Sequence, residues 1–162
     1  MAAQNPPRAR TLAGTRAVTS VRPAAALRRA GRLADGYLSY VITPQMFRDA
    51  LVKIEGAAGE AGREIDAFGT GHLLFCCIDE TYEKAWDRAT ELLSARYAMD
   101  FRKAAQRYCA LGPAEDVASR IMEFHEAGVR HFVLDFLGTQ PERIDGLERF
   151  AAEVRPLLAG MA

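Results

Sequence analysis

Six consecutive apolar residues, Leu73 to Ile78 (LLFCCI), limit the folds open to this chain more than any other stretch. A strand wetted on one face alternates polar and apolar residues. One that is apolar at every position is buried on both faces, as in a parallel sheet covered by helices or closed into a barrel. The segments before it keep to that grammar. Leu27, Ala30 and Leu33 recur at helical spacing within Ala24 to Leu33, Asp35 and Gly36 break the helix, and Tyr37 to Ile42 is apolar and β-branched enough for a strand. Thr43 and Pro44 then read as N-cap and first-turn proline of a helix running to about Gly59, with Phe47, Leu51 and Ile54 on one stripe.

Beyond Ile78, Asp79 is placed to cap a helix in which Tyr82, Ala85, Trp86, Ala89, Leu92 and Leu93 hold helical period to about Tyr97. Ala98 to Leu111 is ambiguous, more helix and then a turn, and Gly112 and Pro113 punctuate it. Val117, Ile121 and Phe124 predict a further helix that stops at Gly128, a residue suited to a left-handed C-terminal cap. His131 to Phe136 is the last strand. Thr139 and Pro141 open a terminal helix carrying Ile144, Leu147, Phe150, Val154 and Leu157. Strands alternating with helices at this spacing predict an α/β fold of parallel β/α units with right-handed crossovers. Three such strands cannot close a barrel, so the sheet edges need a cover: a second copy, a separate front-half chain, or the chain's own N-terminal segment.

Three phrases in order resemble the bacterial luciferase-like flavin and deazaflavin oxidoreductases. AALRRAGRLADGY at Ala25 to Tyr37 resembles that family's ALRRAARLADGW line, with its extended segment and Pro-led helix. HLLFCCIDETYEKAWDRA at His72 to Ala89 is similar to the penultimate strand and following helix, and AGVRHFVLDF at Ala127 to Phe136 to the last barrel strand. The resemblance implies a TIM-type β/α barrel, a fold that typically needs about 250 residues. This chain has 162, so it is expected to form a partial barrel of about three parallel strands with flanking helices, the C-terminal portion with the front missing, over residues 21–162.

A composition of 49% hydrophobic and 26% charged residues is that of a globular body. The formal net charge of zero hides a split, because Met1 to Ala34 contains seven arginines and no acid. Residues 1–20 read as a basic, disordered head, with an organelle transit peptide as the less favoured alternative. No apolar run suits a signal peptide or membrane span, so a cytoplasmic protein without membrane or nucleic-acid partners is the expectation. Cys76, Cys77 and Cys109 form neither an even disulfide framework nor a CxxC pair and read as buried thiols. His72, His125 and His131 lack metal-ligand spacing, and no metal is expected.

In a β/α barrel the active face lies at the C-terminal ends of the strands, here Ser39 to Thr43, Ile78 to Thr81 and Asp135 to Gln140. Asp135 is a candidate to hydrogen-bond a cofactor or substrate hydroxyl, with loop or helix capping as its alternative, and Gly138 permits a close backbone approach. The resemblance implies a cofactor phosphate gripped just before the ALRRA-type helix, at positions that read Ser20, Val21 and Arg22 here. The family's paired glycines are absent there, leaving Ser20 and Arg22 as donors of another kind. The cofactor implied is FMN or a deazaflavin, the activity that of a flavin-type oxidoreductase or monooxygenase, and catalytic residues stay unassigned. Two alternatives stand beside it. One is a non-catalytic remnant or assembly module, completed as a homo-oligomer or by a complementing chain. The other is an unrelated phosphate-binding barrel enzyme.

Overall fold

The computed structural model describes residues 18–19 and 24–160. Strands and helices alternate as β1 (Val18–Thr19), α1 (Ala24–Leu33), β2 (Gly36–Tyr40), α2 (Pro44–Glu60), β3 (Gly69–Ile78), α3 (Tyr82–Tyr97), α4 (Arg102–Tyr108), β4 (Ala110–Gly112), α5 (Ala114–Glu126), β5 (His131–Phe136) and α6 (Gln140–Arg149). The last helix continues as a π-helical turn, Phe150–Val154, and a 3-10 turn, Arg155–Leu158. All pairings are parallel, as the non-alternating apolar strand requires.

The registers fix the order. Gly71 pairs with both Leu38 and His131, which puts β2 and β5 on opposite edges of β3. Cys76 pairs with both Ala110 and Phe136, so β4 lies on the β2 edge, above the point where β2 ends. This small reversal decides where the helices go. Steps from β1 to β2, β2 to β3 and β4 to β5 all advance in one direction, and right-handed crossovers put α1, α2 and α5 on one face. The step from β3 to β4 goes backward, and the same handedness throws α3 and α4 onto the other face.

Two cores result. On the first face, Leu27, Phe47, Ile54, Leu74, Cys76, Val117, Ile121, Phe124 and Val154 pack together. On the second, Phe75, Cys77, Leu93, Phe101, Cys109 and Leu137 form a smaller cluster beneath α3 and α4. Successive residues of β3 feed the two sides in turn, Leu74 and Cys76 to one, Phe75 and Cys77 to the other.

Local chemistry sets the helix starts. Thr43 accepts a hydrogen bond from the Met46 amide at 3.2 Å ahead of Pro44, as its sequence position predicts. Thr43→Ala should cost about 1 kcal/mol, measurable as a lower urea midpoint with unchanged slope. Thr81, not Asp79, caps α3, accepting from the Lys84 amide at 3.2 Å. Asp79 instead accepts from the Glu80 amide next to it, tightening the loop. Gly128, at φ 106°, follows the end of α5 in the left-handed region that glycine favours.

Among the described residues the sheet has five strands, where about three were expected. β1 and β4 are two and three residues long, too short to carry a periodic signal. The ambiguous segment after Tyr97 resolves into α4 and β4, separated from α3 by Ala98 in the left-handed conformation at φ 52°. The terminal helix departs from its expected packing: of its apolar stripe, Val154 is buried, whereas Ile144, Leu147 and Leu157 are exposed.

Candidate functional site

Parallel strands deliver their C-terminal ends to one rim, and the loops there are shaped by backbone geometry. β2 ends in exposed Tyr40 and then Val41 at φ 51°, a left-handed conformation in which a β-branched residue costs about 1–3 kcal/mol. β5 leaves the sheet through Leu137, whose amide donates to the Cys76 carbonyl at 3.1 Å, and turns at Gly138, φ 128°.

Asp135 stands opposite Phe75 in the β3–β5 register, which aims its side chain at the α3 side. Arg96, in the last turn of α3, donates to Asp135 Oδ2 at 2.9 Å while its guanidinium lies 5.6 Å from the Phe75 ring centre. Arg143 Nη2 is 3.6 Å from Asp135 Oδ1, an ion-pair distance rather than a hydrogen bond. Oδ1 is thus a buried acceptor without a hydrogen-bond donor among the described residues.

Around this pair the rim is rich in arginine. Arg88 donates to Glu142 at 2.8 Å, and Arg149 to the Ile78 carbonyl at 3.0 Å and to Glu153 at 3.1 Å. Glu142 accepts from both the hydroxyl and the amide of Thr139, each at 2.6 Å. Those bonds, with the Arg88 charge, hold its carboxyl below the usual range. Glu142 also fills the space beside Gly138, where an added Cβ would meet its Oε2 at 2.7 Å. Arg88 is paired with Glu142, Arg96 and Arg143 with Asp135, and Arg149 with Glu153, so the charges of the rim are largely balanced, while Asp135 Oδ1 offers an acceptor to an N–H or O–H.

The thiols are not poised for nucleophilic chemistry. Burial pushes Cys77 up to about 11 and Cys109 to about 12, and raises Cys76 well above its ordinary value, so all three stay protonated near neutral pH. His72 lies on the first face, fully buried, with Ser39 Oγ 2.7 Å from its Nδ1 and the Phe124 ring stacked at 4.1 Å. It is a core histidine, and Ser39, placed by sequence at a strand end, points into that core and away from the rim. Among the described residues no group of three or more His, Cys, Asp or Glu is arranged to hold a metal ion.

Asp135, near the end of β5, and Gly138, in the loop that follows, therefore lie at the same rim. Ser20, Val21 and Arg22 lie outside the described residues. Sequence reasoning missed Arg96 and Arg143. Asp135 supplied the available signal: a carboxylate near the end of an apolar strand calls for a cationic partner from a helix packed on its face.

The family model described as luciferase-like monooxygenase matches residues 7–131. A 5,10-methylenetetrahydromethanopterin reductase of Methanopyrus kandleri is 33% identical over 101 residues, 55% of this chain and 29% of that protein. Among solved structures, the coenzyme F420-dependent tetrahydromethanopterin reductase of Methanopyrus kandleri superposes with a TM-score of 0.65 at 22% identity, covering 86% of this chain and 50% of that one. An F420-dependent secondary alcohol dehydrogenase in complex with an F420-acetone adduct gives a TM-score of 0.70 at 18% identity, covering 85% and 47%. The long-chain alkane monooxygenase LadA gives 0.61 at 13%, covering 88% and 40%. The chain thus spans at most about half the length of these proteins.

Proposed function

The chain belongs to the luciferase-like monooxygenase family, and from that premise we propose that its C-terminal rim forms one wall of a flavin-type cofactor site in an oxidoreductase. The observation that carries the reading is the orphaned acceptor Asp135 Oδ1 set between Arg96 and Arg143 at the strand ends. A ring system bearing an N–H and an anionic tail matches that donor and acceptor set, and FMN and deazaflavins both have this character. Such a cofactor, when bound, supplies the hydride or oxygen chemistry. This chain's residues do the holding. Asp135 accepts from the ring edge or a ligand hydroxyl, Arg96 and Arg143 balance its charge and that of the ligand, and Gly138 lets the loop turn sharply enough for Glu142 to pack against it. Ser20, Val21 and Arg22 are proposed as further donors, to the phosphate.

The relatives that act with F420 make the deazaflavin the first cofactor to try. Titrating purified protein with coenzyme F420, and separately with FMN, should quench ligand fluorescence saturably for at least one of them. Asp135→Ala should weaken that binding by about tenfold or more, the effect of removing a hydrogen bond to a buried polar partner. A chain that leaves both fluorescence signals unchanged at tens of micromolar removes the proposal. A second reading, a non-catalytic assembly module, draws on the exposed apolar residues along the β5 edge. Absence of ligand binding combined with stable self-association would favour it.

A further inference from the structure

Helix α6 is seated inside out. Its inner stripe, Glu142, Asp145, Gly146 and Arg149, faces the ends of β3 and β5, whereas the apolar Ile144 and Leu147 are 51% and 56% exposed. None of its residues is buried. A helix held by the hydrophobic effect shows the reverse arrangement, so α6 is held by polar links instead. Arg149 donates to the Ile78 carbonyl at 3.0 Å, Arg88 of α3 donates to Glu142 at 2.8 Å, and Arg143 Nε donates to the Gly138 carbonyl at 3.1 Å. Links of this kind between partly exposed groups each contribute little. Gly146 lets the helix backbone lie close to the Phe136 ring, 3.1 Å from a Cβ built there. The backbone can pivot at either end of the helix. Gly138, at φ 128°, precedes it, and the π-helical turn Phe150–Val154 follows, with Val154 anchored in the first core.

We infer that α6 is a lid over the rim, closed in this structure, and that its Arg143 holds the place of the ligand group from which Asp135 Oδ1 accepts. Oδ1 is buried without a hydrogen-bond donor among the described residues, and Arg143 Nη2 stands 3.6 Å away, near enough to balance its charge and too far to satisfy it. A ligand N–H or O–H that reaches this oxygen displaces Arg143, and Arg143 is carried by α6. The Thr139–Glu142 capping box keeps the first turn intact, so the helix swings as one piece about Gly138. Because Ile144 and Leu147 are already exposed, the swing takes little apolar surface out of a core. It uncovers the Cys77 thiol, which is 3% exposed and lies beneath the lid among Arg88, Glu142, Asp145 and Gly146. What enters depends on the cofactor-site reading, whereas the opening itself does not.

Labelling of the full chain with N-ethylmaleimide, read residue by residue by tandem mass spectrometry, tests the lid, because the three thiols lie in different places. Cys77 is under α6, Cys76 belongs to the first core, and Cys109 packs in the second core with residues of α3 and α4. In native buffer Cys77 should react about tenfold faster than the other two or more, and its rate should depend less steeply on added urea, as local opening requires. Arg149→Ala should speed Cys77 by about tenfold, the effect of losing a charged hydrogen bond, and leave Cys76 and Cys109 unchanged. Arg88 and Arg149 both favour the Cys77 thiolate, so loss of either charge alone slows the reaction, and acceleration reports opening. Arg88→Ala, which releases the Glu142 link, should act in the same direction. A Cys77 that follows Cys76 in rate and urea slope, or an acceleration of all three thiols alike, overturns the inference. Selective exposure of Cys77 in a chain that binds neither F420 nor FMN supports the lid and removes the cofactor reading.

Discussion

Gly31→Val is expected to destabilise the protein by about 3–5 kcal/mol, a large share of the roughly 5–15 kcal/mol that holds a domain of ordinary stability. Gly31 lies where α1 crosses α2, and a Cβ built there would sit 2.2 Å from the Ile54 carbonyl oxygen, 3.0 Å from the Ala58 amide and 3.1 Å from Ala57 Cβ. Two of the three obstacles are backbone, so no rotamer change relieves them. The flanking Ala30, Ala34, Ala50, Ala57 and Ala58 are buried and small, and the crossing is close because of them. Gly56 is the internal control. It also lies within a helix, but an added Cβ meets nothing within 4 Å, so Gly56→Ala should stabilise by up to about 1 kcal/mol through helix propensity. Urea unfolding of both variants tests the pair; equal shifts of the same sign would show that the crossing is not tight.

Acidification should cost nearly as much. Burial, and then the charge of Arg120, lower His72 from 6.5 to about 4, with Ser39 opposing the shift. In the window between those values the unfolded chain binds a proton that the folded chain refuses, so stability falls as pH falls. The full contribution is present above pH 6.5 and is lost progressively down to about pH 4, a total of about 3 kcal/mol for the shift. His72→Gln keeps a partner for Ser39 and removes the titration. Its unfolding free energy should lose about one proton's worth of slope between pH 4.5 and 6.5 relative to the parent. An unchanged slope would assign the acid sensitivity elsewhere. Glu142 and Glu153, both held low by their partners, act only below this window and at the surface, where screening weakens them.

The helices and strands with strong internal signals were legible. α1 and β5 occur over the residues their periodicity predicts, and α2 ends one residue from its expected limit. β3 begins at Gly69, four residues before the apolar run, because Gly69 to His72 are recruited by pairing with Gly36 to Ser39. Glycine carries no strand signal, so that extension was invisible. The terminal helix shows the converse: Ile144 and Leu147 keep helical period, but periodicity states only that a face wants a partner, not that one is present. At the site, Asp135 and Gly138 were readable from strand phase and turn chemistry. Arg96 and Arg143 were not, since a long cationic side chain on an amphipathic helix looks the same whether it meets water or a strand-end carboxylate.

β3 pairs with β2, β4 and β5, whereas every other strand touches at most two neighbours. In graph terms it is the three-way branch point of the ladder. Without it β4 and β5 are each severed, and only the short β1–β2 link survives. A proline within Leu74 to Cys76 would therefore remove a ladder donor and distort the backbone at the stretch whose side chains feed both cores in turn.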